Sequence, residues 1–173
     1  NQNNKIALVT GAAKRIGRAV AMSLARRGCH IVLHYNISIS GALATAEELR
    51  TYGVKVLPIQ ADLRRSDQIE AMIEQAVTHF GGLDILVNSA ASFVRADLQS
   101  VTLDIWNEIL AVNLTAPMLC IKHAAPILLR QESSVVINIC DLYSELPTPT
   151  MLAHGVAKAG LLNLTRALAL ELA

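Results

Sequence analysis

Five short apolar runs recur along the chain: KIALVT (5–10), HIVLHY (30–35), VKVLPIQ (54–60), LDILVN (83–88) and VVINIC (135–140). They are rich in Val, Ile and Leu and do not alternate with polar residues, the pattern of strands covered on both faces. Segments of helical period separate them. Ile16, Ala19, Val20, Ser23 and Leu24 share one face of the first such segment, and Ile69, Met72, Ile73, Ala76, Val77 and Phe80 share one face of a later one. Gly28, after Arg26 and Arg27, ends the first helix and leaves two cations at its negative dipole end. The alternation predicts an α/β fold with a doubly wound parallel sheet, right-handed crossovers and helices on both faces. Such sheets bind ligands at the carboxyl ends of their strands, so the loops starting at Gly11, Asp62, Asn88 and Asp141 converge on one crevice.

Composition narrows the partners. With 173 residues, 53% hydrophobic and 17% charged, the chain supports one buried core, read as a single domain over 1–173. A net charge of +1 gives little support for nucleic-acid binding, so a small-molecule substrate is expected. Cys29, Cys120 and Cys140 are odd in number and lie within apolar runs without CxxC spacing, which argues against a disulfide framework or a metal site and fits a reducing cytoplasm. The N-terminus reads as untargeted, and no run of apolar residues suggests a membrane span.

The segment TGAAKRIGRAV follows the first strand and opens the first helix, the context of a dinucleotide-binding turn. Gly11 and Gly17 suit the tight turn and the close approach of backbone to pyrophosphate, and the helix N-terminus supplies N–H donors. Lys14, Arg15 and Ile16 complete the turn, with two cations beside the expected phosphates. After the second strand, His34, Tyr35 and Asn36 offer no acid to accept from ribose hydroxyls, which favours NADP(H) over NAD.

The turn resembles the TGxxxGxG loop of the short-chain dehydrogenase/reductase family, with Arg15 standing at the middle glycine. The resemblance runs on through NSAASF, VNLTAP, VVINICD and HGVAK, and it implies a Rossmann-type fold. It implies that Asp62 contacts the adenine, although a helix-flanking acid reads the same way. It also makes Asn88 and Ala90 part of the cofactor loop, and Asn113 the asparagine of the catalytic tetrad. Pro117 deprives the Asn113 carbonyl of its helical partner, freeing it to hold a water. In the family pattern YxxxK the lysine binds the nicotinamide ribose and lowers the phenol's pKa; Lys158 matches it, but His154 takes the tyrosine position.

Within the family, TGAAKRIG, NSAASF and VINICD are most similar to the pteridine reductases. That likeness implies Phe93 stacking on a pterin, Asp141 assisting protonation and Arg15 holding both pterin and cofactor phosphate. Phe93 as a core aromatic, Asp141 as a helix cap and His154 as a polar replacement are the plain alternatives. Tyr143 is a further candidate phenol.

Lys158 favours neutral imidazole at His154, a poor proton donor, whereas an approach by Asp141 would make an imidazolium donor conceivable. The expectation is retained cofactor binding with weakened reduction. Relative to the family pattern, the sequence ends at the catalytic helix, without the further strands and substrate lid. The apolar helix around Leu161, Leu164 and Leu168 then predicts a homo-oligomer. Three functions stay open: a pterin reductase using NADPH, a general carbonyl or 3-oxoacyl reductase, and a catalytically silent NADP-binding protein.

Overall fold

Each of the five apolar runs forms a strand in the computed structural model, which describes residues 4–172. These are β1 (Ile6–Val9), β2 (His30–Tyr35), β3 (Val56–Gln60), β4 (Ile85–Asn88) and β5 (Val135–Asn138). Between them lie α1 (Arg15–Ala25), α2 (Ile39–Arg50), α3 (Ser66–Phe80), α4 (Leu103–Leu110) and α5 (Ala116–Leu128), and α6 (Leu152–Glu171) follows β5. All pairings are parallel in the order β3-β2-β1-β4-β5, so the sheet reverses its direction of growth at β1 and β4. That switch point opens a crevice at the carboxyl ends of β1 and β4.

Alternate residues of the sheet feed two cores. Ala7, Val9, Ile31, Leu33, Ile85 and Val87 pack with α1 and α2, while Leu8, Val32, Ile59 and Leu86 pack with α3 and α5. Ile69, Met72, Ile73 and Ala76 of α3 are buried, with Val77 and Phe80 at the margin of the same core. The face expected for α1 is rotated: Val20 and Leu24 pack at the margin of the core, but Gly17, Ala21, Met22 and Ala25 are the buried residues, whereas Ile16 is 59% exposed and Ala19 and Ser23 face solvent. Small side chains let α1 lie close to the sheet, so residue size misidentifies its inner face. Beyond α1, Gly28 adopts a left-handed φ of 84° and closes the turn, with Gly28 N–H donating to Ala25 O and Cys29 N–H to Leu24 O.

Two further expectations change. β5 is not covered on both faces, since Val135 and Ile137 are exposed on the side shared with α1 and α2. And a membrane-length apolar helix does exist: α4, a π-helical turn (Ala111–Thr115) and α5 run together over Leu103–Leu128, 26 residues with a mean hydropathy of 1.2 in their most apolar part. Its sequence hides this length because Asn113 and Pro117 interrupt the apolar pattern. In the fold it is a core helix, burying Ile109, Ala116, Cys120, Ile121, Ala124 and Leu128.

Candidate active site

The first loop is shaped by bonds from both sides. Thr10 Oγ1 accepts from the N–H groups of Ser89 and Ala90 at 2.9 and 3.0 Å, joining the end of β1 to the loop after β4. Gly11 has φ +65°, and a Cβ there would lie 2.9 Å from Ala90 Cα; a Cβ on Gly17 would lie 2.4 Å from Gly11 O. The turn therefore closes only with glycine at both positions. Lys14 precedes the first residue of α1, and Lys14, Arg15 and Ile16 are all exposed at the helix's positive end. Arg15 adopts a left-handed φ of 54°, uncommon for a residue with a side chain and placed where the family loop has glycine. Glycine-tight backbone, a helix N-terminus and two exposed cations make a receptor suited to a dinucleotide phosphate group.

Other residues expected at the cofactor make bonds within the protein. Asn88 is buried, and its amide donates to Asn138 Oδ1 at 2.9 Å, bridging β4 to β5 at the base of the loop expected to pack its backbone against the cofactor. Both oxygens of Asp62 accept from Arg64, whose guanidinium holds the carboxyl below its ordinary range. Of His34, Tyr35 and Asn36, the first two are buried and Asn36 alone reaches the surface.

At the end of β5 and the start of α6 the polar residues meet. His154 and Lys158, four residues apart, lie on one face of α6, and both are buried. Entry into α6 is pinned by a parallel bridge between Ala96 and Met151, with Ala96 N–H donating to Thr150 O and Leu152 N–H to Ala96 O. Lys158 Nζ donates to Ile139 O at 2.6 Å; burial pushes its pKa down, opposed by Asp141 and Cys140. Asn113 sits fully buried in the π-helical turn, which ends just before Pro117. A residue lacking an N–H is accommodated after a turn bonded at the wider spacing, and such turns favour functional sites.

Asn113 fixes the direction of the network. Its Oδ1 accepts from Ser92 N–H at 2.8 Å and its Nδ2 donates to Ser92 O at 2.8 Å, so the amide cannot reverse without losing both bonds. The same Nδ2 faces His154 Nδ1 at 3.3 Å, making Nδ1 the acceptor. The ring proton then lies on Nε2, which donates to Asp141 Oδ2 at 2.6 Å. Asp141 thus reaches His154, but an imidazolium would turn Nδ1–H against the Asn113 N–H, which counts against the imidazolium donor considered above. His154 is 4% exposed and has both nitrogens engaged inside the protein, whereas the Asp141 side chain is 34% exposed. Asp141 is the member of this network that reaches the crevice.

Two aromatic rings flank the imidazole edge-on, Phe93 at 5.1 Å and Tyr143 at 6.2 Å between centroids. Phe93 is 52% exposed, so it is no core aromatic and keeps a face for a ligand. Asp141 also accepts from Tyr143 N–H, capping the short helical turn Leu142–Ser144. Thr10 and Ser92 escape sequence reading because each acts on a partner far along the chain. Their one local signal is a small hydroxyl residue at a strand end or loop.

Comparison with known proteins agrees with this architecture. The short chain dehydrogenase family model matches residues 5–173. The 3-oxoacyl-(acyl-carrier-protein) reductase of Staphylococcus epidermidis is 35% identical over 170 residues, covering 98% of this chain and 70% of that protein. Glucose 1-dehydrogenase 2 of Bacillus subtilis is 31% identical over 171 residues, covering 98% of this chain and 66% of that protein. Among solved structures, a dehydrogenase/reductase from Sinorhizobium meliloti superposes with a TM-score of 0.94 at 36% identity, covering 98% of this chain and 67% of the other. A blue fluorescent protein from a metagenomic library, in complex with NADPH, gives a TM-score of 0.92 at 32% identity, covering 99% and 70%.

Proposed function

Because the chain belongs to the short-chain dehydrogenase family, we propose that it is an NADP(H)-dependent oxidoreductase that reduces a carbonyl group, with 3-oxoacyl thioesters the first substrate class. The relatives named 3-oxoacyl reductases support that class over a pterin, and the NADPH-bound structural neighbour supports the cofactor. NADPH, when bound, supplies the hydride. Gly11, Gly17, Lys14 and Arg15 hold its phosphates, and Lys158 binds its nicotinamide ribose. Substrate lies against Phe93 with its reacting oxygen toward Asp141. His154 and Asn113 orient Asp141, which takes up a proton from solvent through its exposed side, gives it to the substrate oxygen as the hydride arrives at carbon, and is then reprotonated from water. This carboxyl-centred path makes the enzyme slower than one with a phenol at position 154. Reaction in a cytoplasmic setting, by a homo-oligomer, completes the proposal.

The observation that carries this reading is the fixed chain Ser92–Asn113–His154–Asp141, which ends in the crevice on a carboxyl group. NADPH oxidation is measured with a 3-oxoacyl thioester, simple ketones and dihydropterin. Thioester or ketone turnover in the wild-type chain, lost in Lys158→Ala, supports the reading. NADPH binding without turnover on any substrate would leave a silent binding protein instead.

A pterin remains the second reading. The half-exposed ring of Phe93 beside Asp141 offers a stacking surface and a proton donor suited to a flat heteroaromatic substrate. Dihydropterin turnover exceeding that of every carbonyl compound would favour it.

A further inference from the structure

His34 lies near the end of β2, is 1% exposed, and takes no part in the chemistry above. Its Nδ1 accepts from Gly11 N–H at 3.0 Å, and its Nε2 lies 3.0 Å from Ala61 O. A carbonyl oxygen only accepts and an amide N–H only donates, so the two partners dictate neutral imidazole with its proton on Nε2. The backbone carbonyl of His34 also accepts from Ala12 N–H at 2.9 Å, so one residue holds two successive amides of the phosphate turn. On its other side the ring grips Ala61, immediately before Asp62, the acid at the expected adenine position. The remaining supports of the turn come from Thr10 toward the loop after β4 and from Thr45 Oγ1, which donates to Ala13 O at 3.2 Å.

We infer that His34 is a positioning residue of the cofactor site: its neutral imidazole, held in place by the Ala61 carbonyl, accepts from the Gly11 amide and so fixes the phosphate-binding turn. The inference rests on the proposed NADP(H) cofactor. Gly11, in its left-handed conformation, has its N–H turned inward onto the ring, which sets the direction of the amides that follow. Without the ring that partly buried N–H loses its acceptor, and the turn relaxes to find another partner.

The test is NADPH affinity by fluorescence titration, with urea midpoints for each protein, in wild type, His34→Leu, His34→Asn and His34→Gln. Asparagine places an amide atom where Nδ1 stands and can still accept from Gly11, whereas the glutamine amide sits one bond farther out. Loss of one buried hydrogen bond predicts about tenfold weaker NADPH binding in His34→Leu and His34→Gln. His34→Asn is expected to recover most of the affinity, even where its urea midpoint falls with the others. Equal affinity in all four proteins would overturn the inference. So would losses that follow the urea midpoints with no advantage for asparagine. If His34→Leu fails to fold, the Asn and Gln pair decides on the same terms. Wild type that binds no NADPH would sink the cofactor reading itself, a different outcome from variants that all bind alike.

Discussion

His154 shows how a residue can occupy a catalytic position and yet serve another group. Nδ1 accepts from Asn113 and Nε2 donates to Asp141, so no ring nitrogen is left for a substrate. General acid catalysis by a positioned group contributes roughly 100-fold or more, so Asp141→Asn is expected to lower kcat by about that factor while NADPH affinity holds. At His34 the consequence is acid sensitivity. Burial pushes its pKa below 6.5, partly opposed by the Ala61 carbonyl. Below 6.5 the unfolded chain takes up a proton that the folded chain refuses, so folding stability falls as pH drops toward the folded-state pKa. The partners of this ring are backbone groups, Ile59 opposite it on β3 and Val32 on the same face of β2 are buried and apolar, and the charges of Asp62 and Arg64 that follow Ala61 are paired with each other. Urea midpoints between about pH 7.5 and 5.5 should fall more steeply for wild type than for His34→Asn, which has no imidazole to protonate. The residue types were readable in the sequence, because Lys158, Asn113 and Asp141 stand in a familiar order. Their connections were not: Ser92 binds Asn113 and His34 binds Gly11 across distances no local spacing encodes.

At the scale of elements, the strands were legible because runs of branched apolar residues have few other uses in a doubly wound sheet. α3 was legible for the same reason, its large apolar residues marking its buried face. α1 was legible only in part: Val20 and Leu24 reach the core as expected, but glycine and alanine form the close contact and the larger Ile16 points outward. That close contact is also the most fragile part of the cofactor site. A Gly17→Ala methyl would meet the Gly11 carbonyl at 2.4 Å, a backbone atom that cannot move aside without opening the turn. NADPH affinity is expected to fall more than tenfold in Gly17→Ala, with helical content by circular dichroism near that of wild type. The π-helical turn was legible only as a proline after an asparagine. What it accomplishes, burying Asn113 where both Ser92 and His154 reach it, needs the fold.

Across the whole molecule, two cores sandwich the sheet and leave Val135 and Ile137 of β5 exposed on one side. The chain spans about 70% of the length of the Staphylococcus reductase it resembles. Of the leucines from which the sequence predicts a homo-oligomer, Leu161 is buried and Leu168 packs into the chain's own core; the proposed homo-oligomer would instead use Val156 and Leu170 of α6 and Leu129 beyond α5, which are exposed. Sedimentation at micromolar concentration should give a mass of two or more copies; a monomer would remove that part of the proposal. The central claim is a reductase whose proton passes through Asp141 while His154 only orients it. The most direct test is NADPH oxidation with a 3-oxoacyl thioester by wild type, Asp141→Asn and His154→Tyr, after NADPH binding has been verified for each. Measurable wild-type turnover, a drop of about 100-fold in Asp141→Asn and a gain in His154→Tyr are the expected results. Asp141→Asn turning over as fast as wild type, or wild type matching His154→Tyr, would contradict the account.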